Sequence, residues 1–76
     1  MKIATWNINS IRLRKESVIN FLKKENIDII CLQETKTADD FFPITFFDKH
    51  GYKHNYIRGE KSYNGVAILS KIPFKN

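Results

Sequence analysis

The pattern of apolar and polar positions predicts a strand, a helix and a second strand in the first half of the chain. Residues 2–7 suit a strand, and apolar positions recur every three or four residues between 13 and 25, as on one side of a helix. Residues 28–33 are apolar on both faces, which is typical of a central strand covered on both sides. A helix between two strands predicts a crossover that makes the strands parallel.

The second half of the chain predicts a short helix and two further strands. Residues 43–49 suit a short helix that Gly51 ends, and residues 52–58 and 65–70 suit two strands separated by a polar turn. The order strand, helix, strand, short helix, strand, strand predicts an α/β fold in one continuous unit.

Polar residues follow both of the first two predicted strands. Asn7 and Asn9 come at the end of the first strand, and Glu34 comes directly after the second. Because the carboxyl ends of parallel strands meet at one edge of a sheet, where open α/β folds bind their ligands, these side chains are expected to lie together. This edge is the candidate functional site.

Composition adds a weak indication about partners. The chain has 76 residues with 42% hydrophobic and 28% charged residues, which is typical of one small folded domain. A formal net charge of +5 is compatible both with a polyanionic partner and with solubility alone. The absence of a long apolar run or a signal-peptide pattern predicts no membrane association and a cytoplasmic location.

The ligand types at the candidate site allow two interpretations. One carboxylate, Glu34, beside the amide of Asn7 suits Mg²⁺, which keeps several waters and binds through one or two carboxylates plus substrate phosphate. The alternative is that Glu34 forms an ordinary surface ion pair with Lys36, and spacing alone favours that alternative. The cluster of Arg12 to Lys15 shifts the balance, because it would place phosphate contacts at the same edge.

The number of predicted layers leaves part of the sheet without cover. One crossover helix and one short helix are too few to cover both faces of a sheet with so apolar a central strand. We therefore expect that the chain associates with a partner or is the opening portion of a longer protein. Phe41 and Phe42 suit either a base-stacking platform or the core, and we predict the core; Cys31 is predicted to be a small core hydrophobe.

Three motifs together resemble the exodeoxyribonuclease III family of the endonuclease/exonuclease/phosphatase superfamily. They are WNINSIR at residues 6–12, LQETK at residues 32–36 and YNGVAILSK at residues 63–71. The resemblance implies that residues 1–76 are the amino-terminal, incomplete portion of a four-layered α/β sandwich. It also implies a DNA repair nuclease that uses Mg²⁺, with Mn²⁺ as an alternative ion, to nick double-stranded DNA at abasic sites and to degrade it from 3′ ends.

The resemblance also assigns expected roles to the catalytic residues. Glu34 would be a metal ligand and a catalytic residue, and Asn7 would be its partner at the metal and the scissile phosphate.

The remaining roles that the resemblance implies concern DNA. Asn9 would support the water shell of the metal beside the DNA, Arg12 would hold a DNA phosphate, and Lys36 would organise the metal site. Tyr63 would contact the backbone near an abasic site. Ser10 departs from the glycine that is usual in the family at this turn.

The other catalytic groups of the family match no residue among these 76, so we expect the chain alone to be inactive. Two alternatives stay open. The chain is a non-catalytic nucleic-acid-binding module, or one that completes a nuclease with a separately encoded remainder; or it is a gene remnant that does not fold stably.

Overall fold

The computed structural model describes residues 1–74 and contains a mixed sheet with helices on one face. The strands are β1 (Ile3–Asn7), β2 (Ile29–Gln33), β3 (His54–Arg58) and β4 (Val66–Ser70). The helices are α1 (Ile11–Glu25), α2 (Ile44–Lys49) and a short 3₁₀ turn (Asp39–Phe41). The predicted α/β order is confirmed, and the largest differences are that α1 begins two residues earlier, and β3 two residues later, than predicted.

The order of strands in the sheet brings four chain segments to one edge. The order is β1-β2-β4-β3, with β1 and β2 parallel and β4 antiparallel to both of its neighbours. Asn7 lies opposite Gln33, Gln33 lies opposite Val66, and Val66 lies opposite Arg58. The ends of β1, β2 and β3 and the beginning of β4 therefore share the edge that the sequence predicts for the site.

The core lies between one face of the sheet and the helices. Side chains from β2 and β4 on this face pack with the apolar side of α1, which has the residues Val18 and Leu22 at its centre. Phe47 of α2 is buried in the same cluster, and Trp6 contacts it from β1. The largest buried apolar side chains include Tyr52, whose hydroxyl donates a hydrogen bond to the carbonyl oxygen of Ile27.

The second face of the sheet is open in the part of the chain that the structure describes. Ile3 and Tyr56 are 64% and 54% exposed on this face. Along β2, Ile30 and Leu32 are buried, whereas Ile29 and Cys31 are only partly buried. The prediction of two-sided cover for β2 is therefore wrong for residues 1–74, and so is the core position of Cys31, because two helices cover only one face.

None of the helices within residues 1–74 is long and apolar enough to cross a membrane.

Candidate functional site

The loop after β1 is hydrogen-bonded to the loop after β2. The amide of Ser10 donates to the carbonyl oxygen of Glu34 at 2.9 Å, and the amide of Ile11 donates to that of Thr35 at 3.0 Å. These bonds continue the contact between β1 and β2 beyond the ends of the strands. The side chains on the two loops are therefore held at a defined separation.

The turn before β4 completes this arrangement. The amide of Thr35 donates to the carbonyl oxygen of Gly65 at 3.2 Å, and that of Lys36 donates to Asn64 at 2.8 Å. Gly65 has φ +95°, and a Cβ at this position would lie 2.2 Å from the Thr35 hydroxyl oxygen. Only glycine fits this position, because any side chain would separate the two loops.

Several residues without glycine's freedom have a left-handed backbone at this edge of the sheet. They have φ between 51° and 88° and are Asn9, Ser10, Glu34, Lys36 and Asn64. Asparagine tolerates this region, but in Ser10, Glu34 and Lys36 such conformations cost about 1 to 3 kcal/mol and persist only where the surrounding structure holds them. Their concentration at this edge supports a functional role for it, since strained backbone clusters at binding and catalytic sites.

Four of the predicted site residues form one network of side chains. The Asn7 amide donates to Glu34 Oε2 at 2.7 Å, and the Lys36 ammonium donates to Asn9 Oδ1 at 2.5 Å. Lys36 Nζ also lies 3.7 Å from Glu34 Oε1. The Glu34 side chain is 45% exposed, so it is oriented by its neighbours and still open to a ligand. The predicted proximity of Asn7 and Glu34 is confirmed.

The donor set of this network suits one kind of metal. Within residues 1–74 no group of three or more His, Cys, Asp or Glu side chains is placed to hold an ion. A closed zinc or calcium site is therefore not built from these residues. One half-exposed carboxylate beside an amide fits Mg²⁺, whose remaining ligands are commonly waters and substrate phosphate.

A basic groove lies beside the network. Its larger part has a volume of about 470 Å³ and is lined by Ser10, Arg12, Leu13, Lys15, Lys36, Phe41 and Pro43. A smaller part of about 200 Å³ shares Arg12, Lys36 and Phe41 with it and adds Thr37, Ala38, Lys61 and Ser62. We call the two parts together the basic groove. The predicted position of Arg12 next to Lys36 is thus observed.

The structure corrects the prediction for one of the two adjacent phenylalanines. Phe42 is 7% exposed and packs near Phe47, with ring centroids 6.2 Å apart, as predicted for the core. Phe41 is instead 66% exposed and lies in the basic groove. The 3₁₀ turn ends at Phe41, and the extended backbone of Phe42 sends the two side chains to different surroundings.

The structure differs from the sequence-based prediction of the site at Tyr63 and Lys61. Tyr63 is 62% exposed and stands outside the side-chain network of residues 1–74, although the next residue, Asn64, is hydrogen-bonded to Lys36. Lys61 lines the groove and was missed in the sequence. The signal that points to Lys61 is its position in the polar turn between β3 and β4, which the antiparallel pairing returns to the same edge.

Comparison with known proteins agrees with this geometry. The chain belongs to the endonuclease/exonuclease/phosphatase family, whose model matches residues 4–76. It is 41% identical over 73 residues to an exodeoxyribonuclease of Bacillus subtilis (strain 168), covering 93% of this chain and 28% of the relative. It is 39% identical over 71 residues to exodeoxyribonuclease III of Haemophilus influenzae, covering 93% of this chain and 26% of the relative. The resemblance to exodeoxyribonuclease III is confirmed.

Solved structures show the same fold. An AP endonuclease from Archaeoglobus fulgidus is 49% identical with a TM-score of 0.87, covering 93% of this chain and 28% of that chain. A 3′ phosphatase, NExo, from Neisseria bound to product DNA hairpin is 45% identical with a TM-score of 0.88, covering 93% and 27%. This chain therefore spans about a quarter of the length of the relatives that it matches.

Proposed function

We propose that this chain is the amino-terminal portion of a DNA repair nuclease of the exodeoxyribonuclease III type, which hydrolyses phosphodiester bonds at abasic sites and from 3′ ends. The observation that carries the proposal is the network of Asn7, Glu34 and Lys36 at the edge where the loops meet. The names of the relatives and the product DNA hairpin bound to NExo support DNA as the substrate.

In this proposal each residue of the network has a separate task. Glu34 holds Mg²⁺, with Mn²⁺ as the alternative ion, and Asn7 orients the carboxylate through its 2.7 Å hydrogen bond. The bound ion supplies charge stabilisation at the scissile phosphate and an activated water. Lys36, held by Asn9, adds a fixed positive charge beside that phosphate, and Arg12 holds a neighbouring phosphate of the strand.

Hydrolysis requires more groups than this chain offers. Glu34 is the single carboxylate in the side-chain network of residues 1–74, and catalytic groups that act as a unit lose most of their effect when part of the set is missing. We infer that residues 1–76 are an incomplete portion of the catalytic domain and are inactive alone. The partners of the proposed protein are double-stranded DNA with abasic sites and the remainder of the nuclease, which is continuous or separately encoded.

A chimeric protein tests the proposed function. Residues 1–76 replace the matching quarter of the Bacillus subtilis exodeoxyribonuclease, and incision of a duplex with one abasic site is measured with Mg²⁺ and with a chelator. We expect incision by the chimera that is lost with the chelator and in Glu34→Gln, and no incision by the isolated chain. Glu16→Gln, an exposed acid on α1, is the matched control and should retain activity.

Two results would contradict the proposal. A folded chimera that does not cut would contradict the proposed nuclease function, and one that cuts equally well as Glu34→Gln would exclude Glu34 as its metal ligand. Metal-dependent incision by the isolated chain would show that these residues suffice for hydrolysis.

The basic groove favours a second candidate function, nucleic-acid binding without catalysis. Arg12, Lys15, Lys36 and Lys61 line it. Binding of duplex DNA that falls steeply with salt and needs no metal, together with an inactive chimera, would favour this second function.

A further inference from the structure

Thr35 lies between the two charged residues of the side-chain network, and it is buried where they are open. Thr35 is 1% exposed, whereas the side chains of Glu34 and Lys36 are 45% and 32% exposed. Both neighbours have a left-handed backbone, with φ of 54° and 55°. The directions in which Glu34 and Lys36 leave the loop therefore depend on how Thr35 is held.

The backbone of Thr35 is bonded to two other segments of the chain. Its amide donates a hydrogen bond to the carbonyl oxygen of Gly65, and its carbonyl oxygen accepts one from the amide of Ile11. Thr35 therefore joins the loop after β2 to the beginning of α1 and to the turn before β4. Any displacement of Thr35 moves the charged residues on both sides of it.

The hydroxyl of Thr35 takes no part in this bonding. Its oxygen is buried and has no hydrogen-bond partner among the residues that the structure describes, 1–74. Buried hydroxyl groups of folded proteins are nearly always hydrogen-bonded, because burial without a partner costs free energy. The contribution of the Thr35 side chain must therefore come from the space that it fills.

Gly65 defines the space that the Thr35 side chain fills. A Cβ on Gly65 would collide with the Thr35 hydroxyl oxygen, so the side chain packs directly against the backbone of the turn before β4. A side chain branched at Cβ has few rotamers, so Thr35 fills this space in a fixed orientation. Because interiors are closely packed, a smaller side chain would leave a gap into which the two segments shift.

We propose that Thr35 is a positioning residue of the candidate site: its side chain, packed against Gly65, fixes the loop that carries both charged residues of the network. It acts through its shape and without a hydrogen bond from its hydroxyl. The inference rests on the proposed function in one respect, that the network is a catalytic site. Removing the branch of the side chain should loosen the 2.7 Å hydrogen bond from Asn7 to Glu34, whereas replacing the hydroxyl with a methyl group should leave it in place.

Proton–nitrogen NMR spectra of this chain, recorded in a chelator, test the inference without metal or substrate. The side-chain amide signals of Asn7 report its hydrogen bond to Glu34, and Glu34→Ala gives their positions when the acceptor is removed. In Thr35→Ala and Thr35→Ser the signals should move toward those positions, and in Thr35→Val they should not move. Val18→Ala, which removes buried methyl groups from the core on α1, is the matched control and should leave them unmoved.

The chimera with the Bacillus subtilis exodeoxyribonuclease gives a second measurement. In Thr35→Ala and Thr35→Ser the Mg²⁺ concentration for half-maximal incision should rise about tenfold, because a metal ligand whose supporting contacts are lost binds its ion more weakly. Thr35→Val should restore the Mg²⁺ requirement of the unchanged chimera. Loss of folded protein lowers the rate at every Mg²⁺ concentration and does not shift this midpoint, as Val18→Ala should show.

Three results would each overturn the inference. They are Asn7 signals that do not move in Thr35→Ala, signals that move as far in Thr35→Val as in Thr35→Ser, and signals that move as far in Val18→Ala as in Thr35→Ala. The second result would assign the role to the hydroxyl. Thermal melting confirms that each variant is folded, and if Thr35→Ala does not fold, the comparison of Thr35→Val with Thr35→Ser decides.

The positioning role and the proposed nuclease fail independently. Asn7 signals that move as expected together with an inactive chimera would contradict the nuclease and keep the positioning role. Incision that depends on Glu34, with the same Mg²⁺ requirement in Thr35→Ala as in the unchanged chimera, would keep the nuclease and overturn the positioning role.

Discussion

At the scale of single residues, Ser10 has a backbone conformation that is unusual for serine. Its φ of 88° and ψ of 102° favour glycine, because a Cβ crowds the backbone in this region. Its amide donates a hydrogen bond to the carbonyl oxygen of Glu34, so the conformation holds the loop after β1 against the loop after β2. Although Ser10 precedes α1, its side chain makes no capping hydrogen bond.

Replacing Ser10 with glycine should therefore stabilise the chain. Glycine removes the Cβ strain and loses no cap, whereas its greater freedom in the unfolded chain offsets part of the gain. We expect Ser10→Gly to raise the free energy of unfolding by about 0.5 to 1 kcal/mol, measured by urea denaturation. Ser17→Gly, an exposed position inside α1, should lower it by a similar amount. A free energy of unfolding that is lower in Ser10→Gly than in the unchanged chain would contradict the inference that Ser10 is strained.

At the scale of elements, Tyr52 joins the segment after α2 to the beginning of β2. The ring is 2% exposed, and its hydroxyl donates to the carbonyl oxygen of Ile27. Burial, and then the nearby Asp28 carboxylate, raise the pKa of the Tyr52 phenol above its ordinary value of 10.0. Both effects disfavour the ionised phenolate in the folded chain.

This raised pKa predicts a loss of stability at high pH. Below about pH 10 the phenol is neutral in both states, and the contribution of Tyr52 is fully present. It is lost as the pH rises from about 10 through the raised pKa of the folded state, because the unfolded chain ionises more readily. We expect unfolding free energies measured between about pH 8 and pH 11 to fall more steeply for the unchanged chain than for Tyr52→Phe.

The matched control for this prediction is Tyr56→Phe, which changes an exposed ring. It should keep the alkaline decrease of the unchanged chain. Tyr52→Phe should also lower stability at neutral pH by about 1 kcal/mol, since it removes a buried hydrogen bond. Parallel pH profiles for the unchanged chain and Tyr52→Phe would exclude Tyr52 as the source.

At the scale of the whole molecule, the described residues have a single core on one face of the sheet, and the four strands are not equally protected. β2 and β4 lie in the middle of the sheet, whereas β1 and β3 are its outer strands. The middle strands have hydrogen-bonded neighbours on both sides, and they contribute buried residues such as Ile30 and Leu69. The outer strands, β1 and β3, have one hydrogen-bonded neighbour each, so they open more easily.

Amide hydrogen exchange should report this difference. We expect the slowest exchange at the amides of Ile30, Leu32 and Leu69 and faster exchange along β1 and β3. The reason is that opening of an outer strand leaves the middle of the sheet intact. Protection in β1 that exceeds protection in β2 would contradict the role of the middle pair. The same spectra recorded at two protein concentrations control for protection that comes from association.

Much of the fold was predictable from local patterns. The apolar repeat of α1, the two apolar strands and the crossover between them determine that Asn7 and Glu34 reach the same edge, because parallel strands end on the same side. The motif around Glu34 also indicated the family that the comparisons confirm. The roles of Asn7, Glu34, Arg12 and Tyr63 stay predictions.

The sequence by itself determined the order of the elements, the edge that holds the candidate site and the resemblance that names its chemistry, since these follow from local patterns and from the rule that parallel strands end on the same side. Tertiary structure alone decided that Phe41 is exposed while Phe42 is buried and that the amide of Ser10 meets the carbonyl oxygen of Glu34. The physical reason is that each of these depends on contacts between segments far apart in the chain, which no local pattern records.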